Sequence, residues 1–400
     1  MARKIITGID AGTSTIKIVV AEQKDDRNLS ILSVVQRTSD GIRRGYITNF
    51  EEATDSIRTA VRSAEKMSGI PIKNAYVAVG GISLGSTKTK SSIMISRADG
   101  EITENDVKRV LEQCENNLAS SLSNKQILHE IPLQFRIDNS PVLGKPVGLK
   151  GSKLESEVMY ITALNQHIND LIKSIEAAGI NIEDVIASPL VASTVALSKH
   201  QKEVGCVLAN LGSSTVSIIA FEEDTPISME VFPIGSRHIT NDIALGFQIP
   251  LEDAEKLKVG FGSETSVSKR KLNEIIEARL NDIFELIETH LKKINRNGLL
   301  PAGIILTGGG AGLFSLEEVA KSSLKLPAKI ATPLPVQGQE INIVGPYKDQ
   351  VINDPGWSVA LGLCLWGIKE NSKKGYSINT LNRFRPGFLG IKKLFRIFLP

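Results

Sequence analysis

Two stretches of β-branched and polar residues, half a chain apart, carry one pattern. Residues 8–22 superpose without gaps on 208–222, pairing Gly12 with Gly212, Ser14 with Ser214, Thr15 with Thr215 and Ile18 with Ile218. Each reads as a strand, a tight turn of glycine and hydroxyl residues, then a second strand, the grammar of a hairpin. Such a duplication predicts two related lobes facing one another. After the first copy, Ala53, Ile57, Ala60, Val61 and Ala64 recur at helical spacing over 50–69, a helix ended by Gly69-Ile70-Pro71, and 75–79 reads as a buried strand. From 83 to about 160 the texture turns polar and serine-rich, with strands around one helix at 103–122 and Pro132, Pro141 and Pro146 as punctuation. An inserted small domain is expected there. Helices follow at 166–178 and after Pro189. Beyond the second hairpin, Leu272, Ile275, Ile276, Leu280, Ile283, Ile287, Leu291 and Ile294 define a long amphipathic helix over 268–295. A buried strand at 302–306 runs into a glycine loop, and the chain ends in a polar linker and an apolar segment with three cations.

Composition narrows the class. Four hundred residues, 42% of them hydrophobic, suit a folded chain of about two to four domains. The excess of 47 basic over 44 acidic residues gives +3, too little for a nucleic-acid partner. Cys114, Cys206 and Cys364 fit no zinc or CxxC spacing, so a reducing compartment is expected. No signal peptide is expected at the N-terminus, and no window holds the roughly 18 uncharged apolar residues of a membrane span. The histidines, His129, His167, His200, His238 and His290, show no ligand spacing and read as surface or capping residues.

Candidate chemistry concentrates in the turns. Asp10-Ala11-Gly12-Thr13-Ser14-Thr15-Ile16-Lys17 supplies what a phosphate loop needs. Gly12 admits an oxyanion close to the backbone, Thr13 and Ser14 offer hydroxyls and amides, and Lys17 adds a cation. Asp10, at a strand end, could orient metal-bound water. One such hairpin alone is more often a polar β-turn with a surface lysine. The second copy, Gly212-Ser213-Ser214-Thr215, changes that weighing, because two facing hairpins can cradle one polyphosphate. Leu306-Thr307-Gly308-Gly309-Gly310-Ala311-Gly312 follows a strand and would let a base and ribose lie against backbone, or be structural only. It lacks the GxGxxG spacing. Glu255 and Lys258 share a helix face at i and i+3, as a solvated ion pair or as ligand contacts.

Together the paired hairpins, the glycine loop and the insert resemble the actin, Hsp70 and sugar-kinase superfamily, and more narrowly the FtsA family of bacterial actin homologues. The resemblance runs along essentially the whole chain. It is carried by Ile127-Leu128-His129-Glu130-Ile131-Pro132, Pro146-Val147-Gly148, Phe232-Pro233-Ile234-Gly235, Thr240-Asn241-Asp242-Ile243-Ala244 and Ala254-Glu255-Lys256-Leu257-Lys258. It implies an α/β, two-lobed, ribonuclease H-like fold with a small α+β insert of the SHS2 type, and ATP with Mg2+ between the lobes. Under it, 1–82, 162–199 and 350–370 form lobe 1A, 83–161 the insert 1C, 200–235 and 297–349 lobe 2A, and 236–296 subdomain 2B. Residues 371–386 are the linker and 387–400 a membrane-targeting helix. Gly12, Thr13, Ser14 and Lys17 match the first phosphate loop, and Gly212, Ser213, Ser214 and Thr215 the second. Gly235 matches a loop glycine near the nucleotide, Glu255 and Lys258 the ribose and adenine contacts, Gly308, Gly309 and Gly310 the adenosine loop, and Asp10 the metal-associated acid.

Departures from the family pattern bear on activity. Asn210 stands where the family's second loop usually begins with Asp, Thr215-Val216-Ser217 where it usually ends Thr-x-Asp, and Ser188 where Gln or Glu precedes the helix at Pro189. An amide carries no charge to hold hydrated magnesium or draw a proton from water. Binding of ATP with at most slow hydrolysis is expected. At the C-terminus, Lys392, Lys393 and Arg396 fall within an arc of roughly 100°, and Phe388, Leu389, Ile391, Leu394, Phe395, Ile397, Phe398 and Leu399 fill most of the rest. That describes a helix lying in the headgroup plane of an anionic lipid membrane; the alternative is a core helix. The resemblance further implies self-association into filaments, docking of the C-terminal peptide of the tubulin-like FtsZ, recruitment of other division proteins, and a place at the cytoplasmic face of the division site. The rivals are a pilus scaffold of the PilM kind and a small-molecule kinase.

Overall fold

The computed structural model describes residues 4–24, 28–118, 122–260, 268–331 and 342–374. Each duplicated hairpin seeds a sheet. In the first, Lys4–Ala11 and Thr15–Gln23 run antiparallel with Asp10 opposite Lys17 and Ala11 opposite Ile16. Asn28–Thr38 extends the hairpin on one side, and Asn74–Val79 pairs parallel to Lys4–Ala11 on the other. Asn181–Ala187 and Asn342–Val344 close the two edges, making six strands. In the second, Cys206–Leu211 and Val216–Glu222 place Asn210 opposite Ser217 and Leu211 opposite Val216. Thr225–Phe232 extends that hairpin, and Ile304–Thr307 pairs parallel to Cys206–Leu211. Ala328–Ile330 completes five strands. The sequence duplication is therefore a duplication of topology.

Two helices, Ser188–Ala196 and Ser358–Lys374, lie between the sheets. The described side chains of both are apolar on nearly every side and buried, as a helix without a solvent face must be. Gly8 and Gly362 permit the close stacking: a Cβ at Gly8 would overlap the Ala360 carbonyl, and one at Gly362 the Val191 carbonyl. Strand periodicity divides the second sheet between two cores. Leu208, Ile219 and Met229 join the core of the first lobe. Val207, Ala209 and Ile218 face a second core built with Leu280, Phe284 and Ile287 of the Lys269–Lys293 helix. On the outer face of the first sheet, Phe50–Ser68 starts at Asn49, whose side chain accepts from the Glu51 and Glu52 amides, and stops at left-handed Gly69.

The insert is a four-stranded antiparallel sheet ordered Gly85–Met94, Lys153–Leu164, Lys125–Ile137, Ser140–Val142, with the Glu104–Leu118 helix on one face. Val110, Leu111, Leu154 and Tyr160 form its own core. The opposite face of its sheet is not independent, because Ile131, Met159 and Ile161 belong to the first-lobe core.

Three expectations need correction. Residues 342–349 were assigned to lobe 2A, yet Asn342–Val344 pairs parallel to Asn28–Ser30 in the first sheet, and Tyr347, Val351 and Ile352 pack into its core. The chain has thus returned to the first lobe before 342, because the open edge of Asn28–Thr38 offers a full ladder of partners. Residues 371–374, expected in the linker, are helical, continuing Ser358–Lys374. Three histidines are neither at the surface nor caps: His129, His167 and His290 are buried, each bonded to a backbone or hydroxyl partner, with His129 Nδ1 left without one among the described residues. His200 is exposed, and His238 does cap, accepting from the Gly235 amide at 3.1 Å. The terminal residues 387–400, with Phe388, Lys392, Lys393 and Arg396 among them, lie outside the described residues.

Candidate functional site

The two hairpin turns have the same internal geometry. Gly12 N–H donates to the Thr15 carbonyl at 3.1 Å, and Gly212 N–H to the Thr215 carbonyl at 2.9 Å. A Cβ at either glycine would lie 2.9 Å from that carbonyl, so the bend has no room for a side chain. Both turns open on one cleft of about 1040 Å³ between the lobes. Asp10, Gly12, Thr13, Ser14 and Lys17 line one wall; Gly212, Ser213, Ser214, Thr215, Glu255, Lys258, Gly308, Gly309 and Gly310 line the other. Residues from positions 10 to 310 meet here.

Several of these residues are engaged differently from what spacing alone suggests. Lys17 Nζ donates to the Gly356 carbonyl at 2.6 Å and sits 5.3 Å from the centre of the Trp357 ring. Burial pulls its amine below the ordinary value, against the opposing pull of Asp10 and Asp354. Asp10, beneath the first turn, has its carboxyl pushed up to about 6 by burial, with Lys17 only partly offsetting the cost. Gly235 is buried and does not line the cleft. A Cβ there would come 2.6 Å from the Gly212 carbonyl, so its bareness lets the Ser236–Phe247 helix start against the second turn. Ser236 N–H and Arg237 N–H donate to the Gly212 and Ser213 carbonyls at 3.0 and 2.8 Å.

Glu255 and Lys258 are more than a solvated pair. Lys258 Nζ donates to Glu255 Oε2 at 2.7 Å, to Thr240 Oγ1 at 2.9 Å and to the Ser236 carbonyl at 3.3 Å, while Thr240 donates to Glu255 Oε2 at 2.6 Å. Burial raises the Glu255 carboxyl, but the Lys258 and Thr240 bonds outweigh it and leave the group below its ordinary value. In the glycine loop, Gly308 has φ of +94° and lies against Asn210 Oδ1 and the Leu211 carbonyl, and Gly310 N–H donates to Leu211 O at 2.9 Å. No side chain fits at Gly308.

The cleft contains residues that local spacing did not single out. Asp354 accepts from Gly356 N–H at 2.7 Å, starting the short Pro355–Trp357 turn that presents the Gly356 carbonyl to Lys17. Asp354-Pro355-Gly356 is a turn signature in the sequence, but nothing local ties it to a lysine 339 positions away. Gly45, Gly80, Gly81 and Arg237 also line the cleft, and Arg237 supplies an exposed cation beside the second turn. Ser188 and Asn210 both face it. Among the described residues no group of His, Cys, Asp and Glu is placed to hold a metal ion by itself. Asp10 nonetheless fits a magnesium ion arriving with phosphates, which is bound through one or two carboxylates and water: it is a buried, under-compensated oxyanion at the cleft floor.

Comparison with known proteins places this geometry. Residues 207–362 match the family described as "Cell division protein FtsA", and 83–162 match "SHS2 domain inserted in FTSA". The chain is similar to the cell division protein FtsA of Borreliella burgdorferi, 31% identical over 388 residues, covering 92% of this chain and 91% of the relative. The corresponding protein of Bacillus subtilis is 29% identical over 94% of this chain and 86% of its own length. Among solved structures, a chain of the PilM–PilN type IV pilus biogenesis complex superposes with a TM-score of 0.68 at 16% identity, covering 92% of this chain and 99% of that one. MreB 5 of Spiroplasma citri bound to AMPPNP superposes with a TM-score of 0.52 at 13% identity, covering 93% and 99%. The two lobes have the actin-like fold of these solved structures, and the insert is of the SHS2 type.

Proposed function

The chain belongs to the FtsA family of cell division proteins, and from that premise we propose that it is an ATP-binding filament protein that tethers the FtsZ ring to the membrane. The observation that carries the nucleotide reading is the pair of matched turns, Gly12 to Thr15 and Gly212 to Thr215, opening on one cleft. Each turn offers backbone amides and hydroxyls at a bend without side chains, the chemistry that suits phosphate oxygens. Arg237 stands beside the second turn to balance charge. Lys17 Nζ has donors beyond the one given to the Gly356 carbonyl, so it can bond a phosphate oxygen while still holding the Pro355–Trp357 turn. Across the cleft, Gly308, Gly309 and Gly310 leave backbone bare for a base, and the Glu255, Thr240 and Lys258 cluster presents a fixed polar edge for ribose and adenine.

Magnesium bound with the nucleotide would neutralise phosphate charge, and Asp10 is the residue to hold it. Asn210 and Ser188 face the cleft where a base for water would be needed, and neither can serve as one. Turnover well below about 1 per second follows from that gap. Among the described residues no helix is long and apolar enough to cross a membrane. The basic amphipathic sequence 388–399 would instead lie on anionic lipid, each cation contributing roughly 1 kcal/mol, and polymerisation would gather many weak tails into a firm attachment. The FtsZ C-terminal peptide is assigned to the subdomain over 236–296, and self-association and later division partners in part to the insert. The pilus-scaffold alternative has only a likeness of fold behind it.

Titration of the full chain with magnesium and ATP in a calorimeter tests the cleft: saturable heat is expected, and none at millimolar nucleotide overturns the reading. Removing residues 388–400 should abolish pelleting with anionic liposomes and leave ATP affinity unchanged. Continued pelleting of the truncated chain would disprove the tail's role.

A further inference from the structure

The insert joins the first lobe through two crossings, and one hydroxyl ties them together: Leu164 N–H donates to Ser83 Oγ at 3.3 Å. Ser83 Oγ also meets His167 Nδ1 at 3.1 Å, and the other ring nitrogen, Nε2, meets the Gly45 carbonyl. A carbonyl can only accept, so Nε2 carries the proton and Nδ1 accepts from the Ser83 hydroxyl. From Gly45 the path goes on, its N–H donating to Thr13 Oγ1 at 3.1 Å. Thr13 belongs to the first cleft turn. Every hydrogen bond on this path points from the root of the insert toward the cleft, and the Thr13 proton remains to be given to a ligand oxygen.

There is little slack along it. The His167 ring is 2% exposed and packs on Tyr46 with centroids 4.5 Å apart. Burial holds its imidazole below the ordinary value, which keeps it neutral with a single N–H. Gly45 and Gly81 both have positive φ; a Cβ on Gly45 would strike Gly81 Cα at 2.5 Å, and one on Gly81 the His167 ring at 2.8 Å. The peptides cannot shift past one another without moving the ring.

We propose that His167 is a positioning residue that couples the Thr13 turn to the two roots of the insert, so that a phosphate engaging Thr13 steadies the insert on the first lobe. This rests on the nucleotide reading above. A ligand oxygen accepting from Thr13 holds that hydroxyl against the Gly45 N–H, and because Gly45 meets Thr13 through its amide and His167 through its carbonyl, restraint of that one residue passes on to the ring and to Ser83.

Hydrogen–deuterium exchange on the full chain, with and without magnesium and ATP, tests it over residues 83–86 and 162–167. In the wild type, ATP should slow exchange there about fivefold, the factor that one hydrogen bond of about 1 kcal/mol makes in an opening equilibrium. His167→Asn keeps a group near Ser83 but cannot reach Gly45; it should still bind ATP while its insert roots cease to respond. His167→Gln, which reaches Gly45, should restore part of the response. Ser83→Ala, remote from the cleft, should also silence the roots at unchanged ATP affinity. Unresponsive roots in wild type that binds ATP, or a full response in His167→Asn, would overturn the coupling and leave the cleft assignment standing. Absence of ATP binding in the wild type would bring down both.

Discussion

Buried histidine chemistry sets part of this protein's pH response. His129 Nε2 accepts from Ala187 N–H at 3.0 Å, and the ring stands edge-on to Trp366. Burial drives its pKa down to about 3. An unfolded histidine takes up a proton near 6.5, so between about 6.5 and 3 the unfolded chain binds one more proton than the folded chain. Stability from this group is complete above pH 6.5 and falls by up to about 1.4 kcal/mol per unit as the pH drops. His129→Gln keeps an acceptor for Ala187 and cannot titrate, so urea melts between pH 5 and 6.5 should show a shallower pH slope than the wild type; equal slopes would show that the folded ring is protonated. The residue scale is also where sequence reading is least complete. Asp354 and Gly356 are ordinary turn residues until folding brings them to Lys17, and nothing local shows that a Cβ at Gly235 would meet the Gly212 carbonyl.

At the level of elements, the central helices invert a familiar rule. Replacing a helix glycine by alanine ordinarily gains about 1 kcal/mol. In Ser358–Lys374, however, a Cβ at Gly362 would overlap the Val191 carbonyl and reach Val191 Cγ1 at 2.8 Å. Gly362→Ala should therefore destabilise by about 1–3 kcal/mol in chemical denaturation; a gain would show that the two helices separate without cost. The hairpins, Phe50–Ser68 and Lys269–Lys293 were legible, because each carries its periodicity and stops within a few turns of chain. Asn342–Val344 was not. Three residues hold no period, and their partner strand lies more than three hundred positions away.

For the molecule as a whole, the cleft exists only where two lobes meet, so a ligand in it must touch both. Nucleotide at about 100 times its dissociation constant should add about 2.7 kcal/mol of stability. Amide exchange should slow in both turns together, at 12–15 and at 212–215, since each contributes the same Gly-to-Thr bend. Protection of one turn alone would mean a single-lobe site. The insert shares one face of its sheet with the first-lobe core through Ile131, Met159 and Ile161, so it cannot be treated as an appended module.

Sequence by itself determined the duplication, the strongly periodic elements, the glycine bends and the two hydroxyl turns that line the cleft, because each depends on local spacing and on conformations open to few residue types. Folding alone decided which carbonyl Lys17 meets, how Asn342–Val344 returns to the first sheet, and that Ser83, His167, Gly45 and Thr13 form one path. Those contacts join segments tens to hundreds of positions apart, and their geometry is set by the close packing of the sheets and the helices between them rather than by any pattern along the chain.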